Sequence, residues 1–159
     1  MDGLILDTRK IKKPIYLQVG NRSCAPCVAE LPALNDIVEE YSDRIEFILL
    51  DTDRKAVLEK VADQYSDKVN LIHLPEKENK DRKGNMPYRF SGFKHLVGSF
   101  PINYLITTDR KIIELTGGAT IPRVYINQDG DTIVITKKDA YQKNRERLQE
   151  EMKILLGSN

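Results

Sequence analysis

Cys24 and Cys27 are the only cysteines in this chain, and the segment Arg22-Ser23-Cys24-Ala25-Pro26-Cys27 sets them two residues apart. Upstream lies the apolar run Ile15-Tyr16-Leu17-Gln18-Val19, and downstream, from Val28 to Tyr41, apolar residues recur at helical spacing. A cysteine pair at a strand–helix junction suits thiol–disulfide exchange. The first turn of a helix has unpaired N–H groups and a positive dipole end, and both favour a thiolate over a thiol. Cys24, at the exposed end of the turn, is the expected nucleophile. Cys27, one turn deeper, is expected to resolve the mixed disulfide that Cys24 forms. Glu30, one turn further, can accept or return a proton during exchange. A solvent-facing helix glutamate is the plainer alternative.

Rival chemistries need more than the chain offers. Two cysteines so close together are poor at stapling distant segments. Zinc would have to add His73 and His95, the only histidines, which are 22 positions apart (95 − 73). A structural zinc site usually has a second closely spaced pair instead, so no metal and no cofactor is expected. A peroxidase would need a threonine and arginine framework around one cysteine, and only Arg22 is adjacent.

Composition fits an ordinary globular chain: 159 residues, 40% hydrophobic and 31% charged, with a formal net charge of +1. A single domain spanning 1–159 is the default at this size. The widely spread Lys and Arg mark no nucleic-acid surface, and no apolar run approaches the ~20 residues of a membrane span. Met1-Asp2-Gly3-Leu4 does not open a signal peptide, so a cytoplasmic protein and a trimmed exported one both stay open.

The elements that must position the motif alternate along the chain. Gly3–Leu6 and Ile15–Val19 read as strands, then a helix with Leu34, Ile37, Val38 and Tyr41 inward, which Pro32 should kink. Ile45–Leu50 is a strong strand. Thr52 or Asp53 can cap the next helix, with Val57, Leu58, Val61 and Tyr65 as its buried stripe. Asn70–Leu74 reads as a short strand, and the charged stretch 75–99 as a loop insertion. Ile102–Thr107 is a strand, Asp109–Leu115 a helix-like segment closed by Gly117-Gly118. Val124–Asn127 and Thr132–Thr136 flank Asp129-Gly130 as a hairpin. A final helix faces Tyr141, Leu148, Met152, Leu155 and Leu156 inward. This order indicates an α/β fold, a central mixed β-sheet with helices on both faces.

The run Cys24-Ala-Pro-Cys27-Val-Ala-Glu30-Leu-Pro32 resembles the active-site helix of the TlpA/ResA-like branch of the thioredoxin superfamily. There a C-x-P-C pair is followed three residues on by a glutamate and two beyond that by a helix-kinking proline. Phe100-Pro101 through Thr108-Asp109-Arg110-Lys111-Ile112-Ile113-Glu114, then Ile121-Pro122, is also similar to that branch, as is the turn Asn127–Ile133. The likeness covers most of the chain outside 75–99. It implies a thioredoxin-like fold and a thiol–disulfide oxidoreductase of the periplasm or cell envelope, usually a reductant. Its partners would be protein thiol or disulfide substrates and a redox partner protein. A redox-inactive binding module on the same fold is the alternative. Two departures stand out. Ser23 occupies the position before the first cysteine, where the superfamily usually has tryptophan, and the chain has no tryptophan. Gln18 stands where plain thioredoxins hold a buried aspartate, which leaves Glu30 as the local carboxylate.

The resemblance also implies a cis-proline opposite the cysteines, whose exposed backbone can pair with a substrate strand. Phe100-Pro101 and Ile121-Pro122 compete. Choosing Pro122 makes residues 100–115 an inserted strand and helix and uses every element once. The expectation is therefore a cis bond at Ile121–Pro122, with both residues binding substrate.

Overall fold

Six residues in the strand before the motif, β1 (Ile15–Gly20), are apolar or uncharged, and five of them are buried. Such a strand belongs at the centre of a sheet, covered on both faces. A computed structural model places it there and describes residues 7–53, 55–73 and 100–158. After β1 come α1 (Ala25–Tyr41), β2 (Glu46–Asp51), α2 (Lys55–Glu59), β3 (Asn70–His73), β4 (Ile102–Ile106), β5 (Ile112–Gly117), β6 (Arg123–Ile126), β7 (Thr132–Ile135) and α3 (Lys137–Gly157). The main sheet has the order β3-β2-β1-β4-β5. β1, β2 and β3 are parallel, β4 runs antiparallel to β1, and β5 antiparallel to β4.

The sheet has two apolar faces. On one, Tyr16, Phe47, Leu49 and Leu105 meet Leu34, Ile37 and Val38 of α1 and Leu148, Met152 and Leu155 of α3. The two helices pack on each other and on the sheet here, which bears out the mixed sheet with helices. The other face carries Ile15, Leu17, Val19, Ile48, Leu50, Ile102 and Tyr104, packed among the described residues by Ile11, Ile72, Phe100, Ile106 and Leu115. The expected strand Gly3–Leu6 and the charged insertion 75–99 lie outside the described residues.

The second half of the chain departs from expectation. The cis peptide bond is Phe100–Pro101; Ile121–Pro122 is not cis. Burial explains the choice. β4 is mainly apolar and buried over four of its five residues, so it pairs with β1, whereas all of β6 is exposed. The proline facing the end of β1 is therefore the one before β4.

Residues 109–115, expected as a helix, form a turn and then β5. Arg110 takes a left-handed backbone (φ 68°), and Thr107 N donates to Lys111 O at 2.9 Å to close the turn. The Arg110 guanidinium then reaches back to the carbonyls of Ile11 and Lys13. The helix expected through Tyr65 stops at Glu59. Asn35 of α1 captures the backbone beyond it, donating to Gln64 O at 2.8 Å and accepting from Ser66 N at 3.0 Å.

The Asp-Gly hairpin forms as read, but β6 and β7 make a sheet of their own. Gly118 (φ 73°) turns the chain off the edge of β5. Asn144, buried on α3, then holds Thr120 by both backbone groups, accepting from its N–H at 2.7 Å and donating to its carbonyl at 3.0 Å. One face of the hairpin leaves Val124, Ile126 and Val134 at 67%, 71% and 57% exposure. Asn144→Ala removes both bonds and strands two backbone groups. It should lower stability by about 1–3 kcal/mol, read as a fall in the urea midpoint at unchanged slope.

Candidate functional site

The motif turn sits where β1 ends. Cys24 is the N-cap of α1, and its Sγ accepts the Cys27 N–H at 3.1 Å, one of the orphan donors of a helix start. Pro26 lies in the first turn, where its missing N–H costs no helix bond. The two sulfurs form a disulfide, with both cysteines half-buried. α1 continues through Pro32 to Tyr41 without a break.

Two neighbours need their backbone close to the sulfurs. A Cβ on Gly20 would lie 3.2 Å from Cys27 Sγ, so the strand end passes tightly beneath the turn. Ile102 pairs with Val19, which puts Pro101 beside Gly20 on the adjoining strand. Asp53 Oδ2 accepts the Arg22 N–H at 2.5 Å, fixing the turn just before Cys24. His73, considered above as a metal ligand, has its Nε2 2.8 Å from Asp53 O, and His95 lies outside the described residues.

The motif borders two spaces. The larger is an open, mainly apolar groove of about 580 Å³. Ser23, Ala25, Val28 and Pro32 line its motif side, with Pro122 and Tyr141 opposite them in the chain's second half. Pro122 thus reaches the site without a cis bond, while Ile121 is half-buried next to it in the chain. The smaller is a chamber of about 20 Å³, lined by Cys27, Gln18, Gly20, Asn21, Asp51, Tyr65 and four leucines.

Beneath the motif lies a buried polar network that joins α1, α3 and the sheet. Glu30 is fully buried, not solvent-facing, and each of its oxygens has a partner. Gln18 Nε2 donates to Oε2 at 2.8 Å, and the Arg147 guanidinium pairs with Oε1. Arg147 also pairs with Glu151, whose oxygens accept from Thr116 Oγ1 at 2.8 Å and Asn103 Nδ2 at 3.4 Å. Gln18 Nε2 donates to Asn103 Oδ1 at 3.0 Å, closing the loop. Burial pushes the Glu151 carboxyl above its ordinary range, against the opposing pull of Arg147. It pushes the Tyr16 phenol well up too, helped by the Glu151 charge.

No family model matches the sequence. Two proteins named thiol-disulfide oxidoreductase ResA are similar to it. That of Bacillus anthracis is 27% identical over 117 residues, 72% of this chain and 61% of its own length. That of Oceanobacillus iheyensis is 30% identical over 119 residues, 72% of this chain and 56% of its own length. The chain thus spans less than two thirds of these relatives. Among solved structures, a DsbE-type thiol:disulfide interchange protein of Chlorobium tepidum superposes with a TM-score of 0.57 at 17% identity, covering 91% of this chain and 81% of that one. The thioredoxin domain of a thiol-disulfide oxidoreductase from Bacteroides vulgatus gives 0.54 at 19%, covering 67% and 71%. The chain has a thioredoxin fold and resembles the ResA thiol–disulfide oxidoreductases.

Within this thioredoxin fold, Cys27 and Gln18 border the chamber, Pro122 lines the groove with Ser23 and Ala25 without the cis bond expected of it, and Glu30 meets Gln18 and Arg147 instead of a cysteine. Arg147, Glu151, Asn103 and Asp51 escaped that reading. A signal for Glu151 was there: it shares a helical stripe with Leu148, Met152 and Leu155, an odd place for a charge.

Arg147→Met would leave Glu30 and Glu151 buried without their cation. The expected loss at neutral pH is roughly 3 kcal/mol, discounted because Arg147 itself is 28% exposed. The sign of its pH dependence follows from the direction of the Glu151 shift. A carboxyl raised in the native state binds protons more tightly there than in the unfolded chain, so stability is kept at low pH and lost as pH rises through the native value. Removing the cation, which opposes that shift, raises the Glu151 carboxyl further. The deficit should therefore grow as pH climbs from about 4.5, measured by denaturant unfolding across pH.

Proposed function

We propose that this protein is a thiol–disulfide oxidoreductase that exchanges disulfides with protein substrates through Cys24-Ala-Pro-Cys27, working as a reductant. The observation that carries the reading is the place of Cys24. Its sulfur caps α1 and takes the Cys27 N–H at 3.1 Å, so a negative charge on that sulfur would meet a helix N-terminus.

In the proposed reaction the Cys24 thiolate attacks one sulfur of a substrate disulfide, and the other leaves as a thiolate. Cys27 gives up its proton and attacks Cys24 Sγ, which breaks the mixed disulfide and releases the second substrate thiolate. Two electrons have passed to the substrate, and the protein is left with the Cys24–Cys27 bond. A partner protein with its own dithiol restores the reduced form.

The groove offers the substrate a seat beside Cys24. Ile121 and Pro122 are proposed as substrate-binding residues, Pro122 as a wall opposite Ser23 and Ala25. The space left by the absent tryptophan before Cys24 is part of that groove's openness. Glu30 is proposed to act on Cys27 through Gln18, which it holds at the wall of the cysteine's chamber. The proposed compartment is the periplasm or cell envelope, supported by the resemblance of the motif. No described helix is long and apolar enough to cross a membrane.

A protein-disulfide reduction assay tests the reading. Cys24→Ser should abolish activity, and Cys27→Ser should accumulate mixed disulfides with substrate, seen by non-reducing electrophoresis and mass spectrometry. Full activity in Cys24→Ser would overturn the role of Cys24, and a wild type without activity would leave the redox-inactive binding module as the better reading. Glu30→Gln keeps the shape of the side chain without its charge. It should slow exchange and displace the pH–rate profile, and an unchanged profile would remove Glu30 from the mechanism.

A further inference from the structure

The chamber beside Cys27 has the size and lining of a proton path. Roughly 10–15 Å³ is enough for one water, given two to four polar partners. At about 20 Å³ the chamber is of that size, and Asp51, Asn21, Gln18 and Cys27 are in its wall. Asn21 supplies an independent sign. Its Nδ2 reaches Thr52 Oγ1 at 3.3 Å, but its Oδ1 is buried with no hydrogen-bond partner among the described residues. A buried acceptor left so is costly unless a donor meets it, and a water in the chamber would.

Strand register puts a carboxylate on the correct side. Gly20 pairs with Asp51 across β1 and β2. Paired residues of a sheet project to the same face, on strands about 4.8 Å apart. The Cβ direction of Gly20 leads to Cys27 Sγ at 3.2 Å, so Asp51 leaves the sheet on the cysteine's face, one strand away. The Asp53 N–H anchors its Oδ1 at 2.7 Å. Glu30, by contrast, has both oxygens committed to Gln18 and Arg147.

We propose that Asp51 takes and returns the proton of Cys27, through one water held in this chamber. The inference rests on the exchange reaction proposed above. When Cys27 closes the disulfide, its S–H proton passes to the water and a water proton to the Asp51 carboxylate. Cys27 then attacks Cys24 Sγ, and the substrate thiolate departs with the electron pair of the broken bond. When a partner dithiol reopens the disulfide, the Asp51 carboxylic acid returns a proton by the same water to the Cys27 thiolate. Asp51 is suited to hold it. Burial raises its carboxyl above the ordinary range, and the neighbouring Asp53 charge adds to this, while the Asp53 N–H, His73 and Arg22 oppose it. Among the described residues, Tyr65 is the remaining titratable group facing Asp51, its phenol raised mainly by burial and next by the Asp51 charge.

The test separates the two half-steps. Reduced wild type and Asp51→Asn are mixed with dithiobis(nitrobenzoate) in a stopped-flow instrument. The first release of nitrothiobenzoate reports attack by Cys24, and the second reports closure by Cys27. In Asp51→Asn the second step should be slower by about ten- to a hundredfold near pH 6.5. It should then climb with pH and approach wild type near about pH 9–10, as Cys27 ionises unaided. The pH profile of the first step should be kept. A second step unchanged, or slowed by one factor at every pH, overturns the proposal. A wild type with no first release overturns the exchange reading itself. The amide keeps an acceptor for the Asp53 N–H, so the variant should fold. As a check independent of that, the Asp51 carboxyl of wild type is titrated by carbon NMR in the dithiol and disulfide forms. Different curves support the coupling, and identical ones overturn it.

Discussion

Two carboxylates inside a protein repel each other and lose hydration, so they persist only where a cation meets both. The pairing of α1 with α3 is arranged around that requirement. Arg147 lies on α3 between Glu151 of its own helix and Glu30 of α1, and Gln18, Asn103 and Thr116 carry the remaining hydrogen bonds to β1, β4 and β5. Apolar contact alone would let two helices slide along their shared face. Directional bonds from three strands to one carboxylate pair define a single register for α1 over the sheet. The height of the motif turn above the end of β1 follows from that register.

From there the site is largely a matter of strand ends. β1, β2 and β3 are parallel, so their carboxyl ends, with Gly20, Asp51 and His73, come out on the same side as the start of α1. Crevices of open α/β sheets form at such ends. β4 runs the other way, so its first residue, not its last, reaches that side, and Pro101 arrives next to Gly20. The groove takes its far wall from the connection that Asn144 clamps, which ties a surface feature to a buried side chain. The β6–β7 hairpin stands outside this logic, among the described residues paired only with itself and apolar on its exposed face.

Local signals were legible where local chemistry decides. The strand before the motif, the N-cap and first turn of α1, the buried stripe of Leu34, Ile37 and Val38, and the Asn127–Asp131 turn around Gly130 (φ 87°) each depend on residues close in sequence. The reading failed where two segments of similar pattern compete for one place. Ile102–Ile106 and Val124–Asn127 both follow a proline and both read as strands. What separates them is that β4 can be covered on both faces, a property of the neighbours it finds and not of its own period. Residues 109–115 were misread for the same reason: Ile112, Ile113 and Leu115 fit a helix or an edge strand until a turn at Arg110 chooses.

By itself, the order of residues determined the cysteine pair, its place at a strand–helix junction, and the α/β class, because these depend on spacings of a few residues and on propensities of single segments. Only the tertiary structure decided which proline has the cis bond and lies beside Gly20, that Glu30 is bound to Arg147, and that Asp51 shares a chamber with Cys27. Glu30 and Arg147 are 117 positions apart, and Gly20 and Asp51 meet only through strand pairing. No local pattern encodes such distances. They are settled when burial selects the strand order, and the charges then find the partners that the order brings within reach.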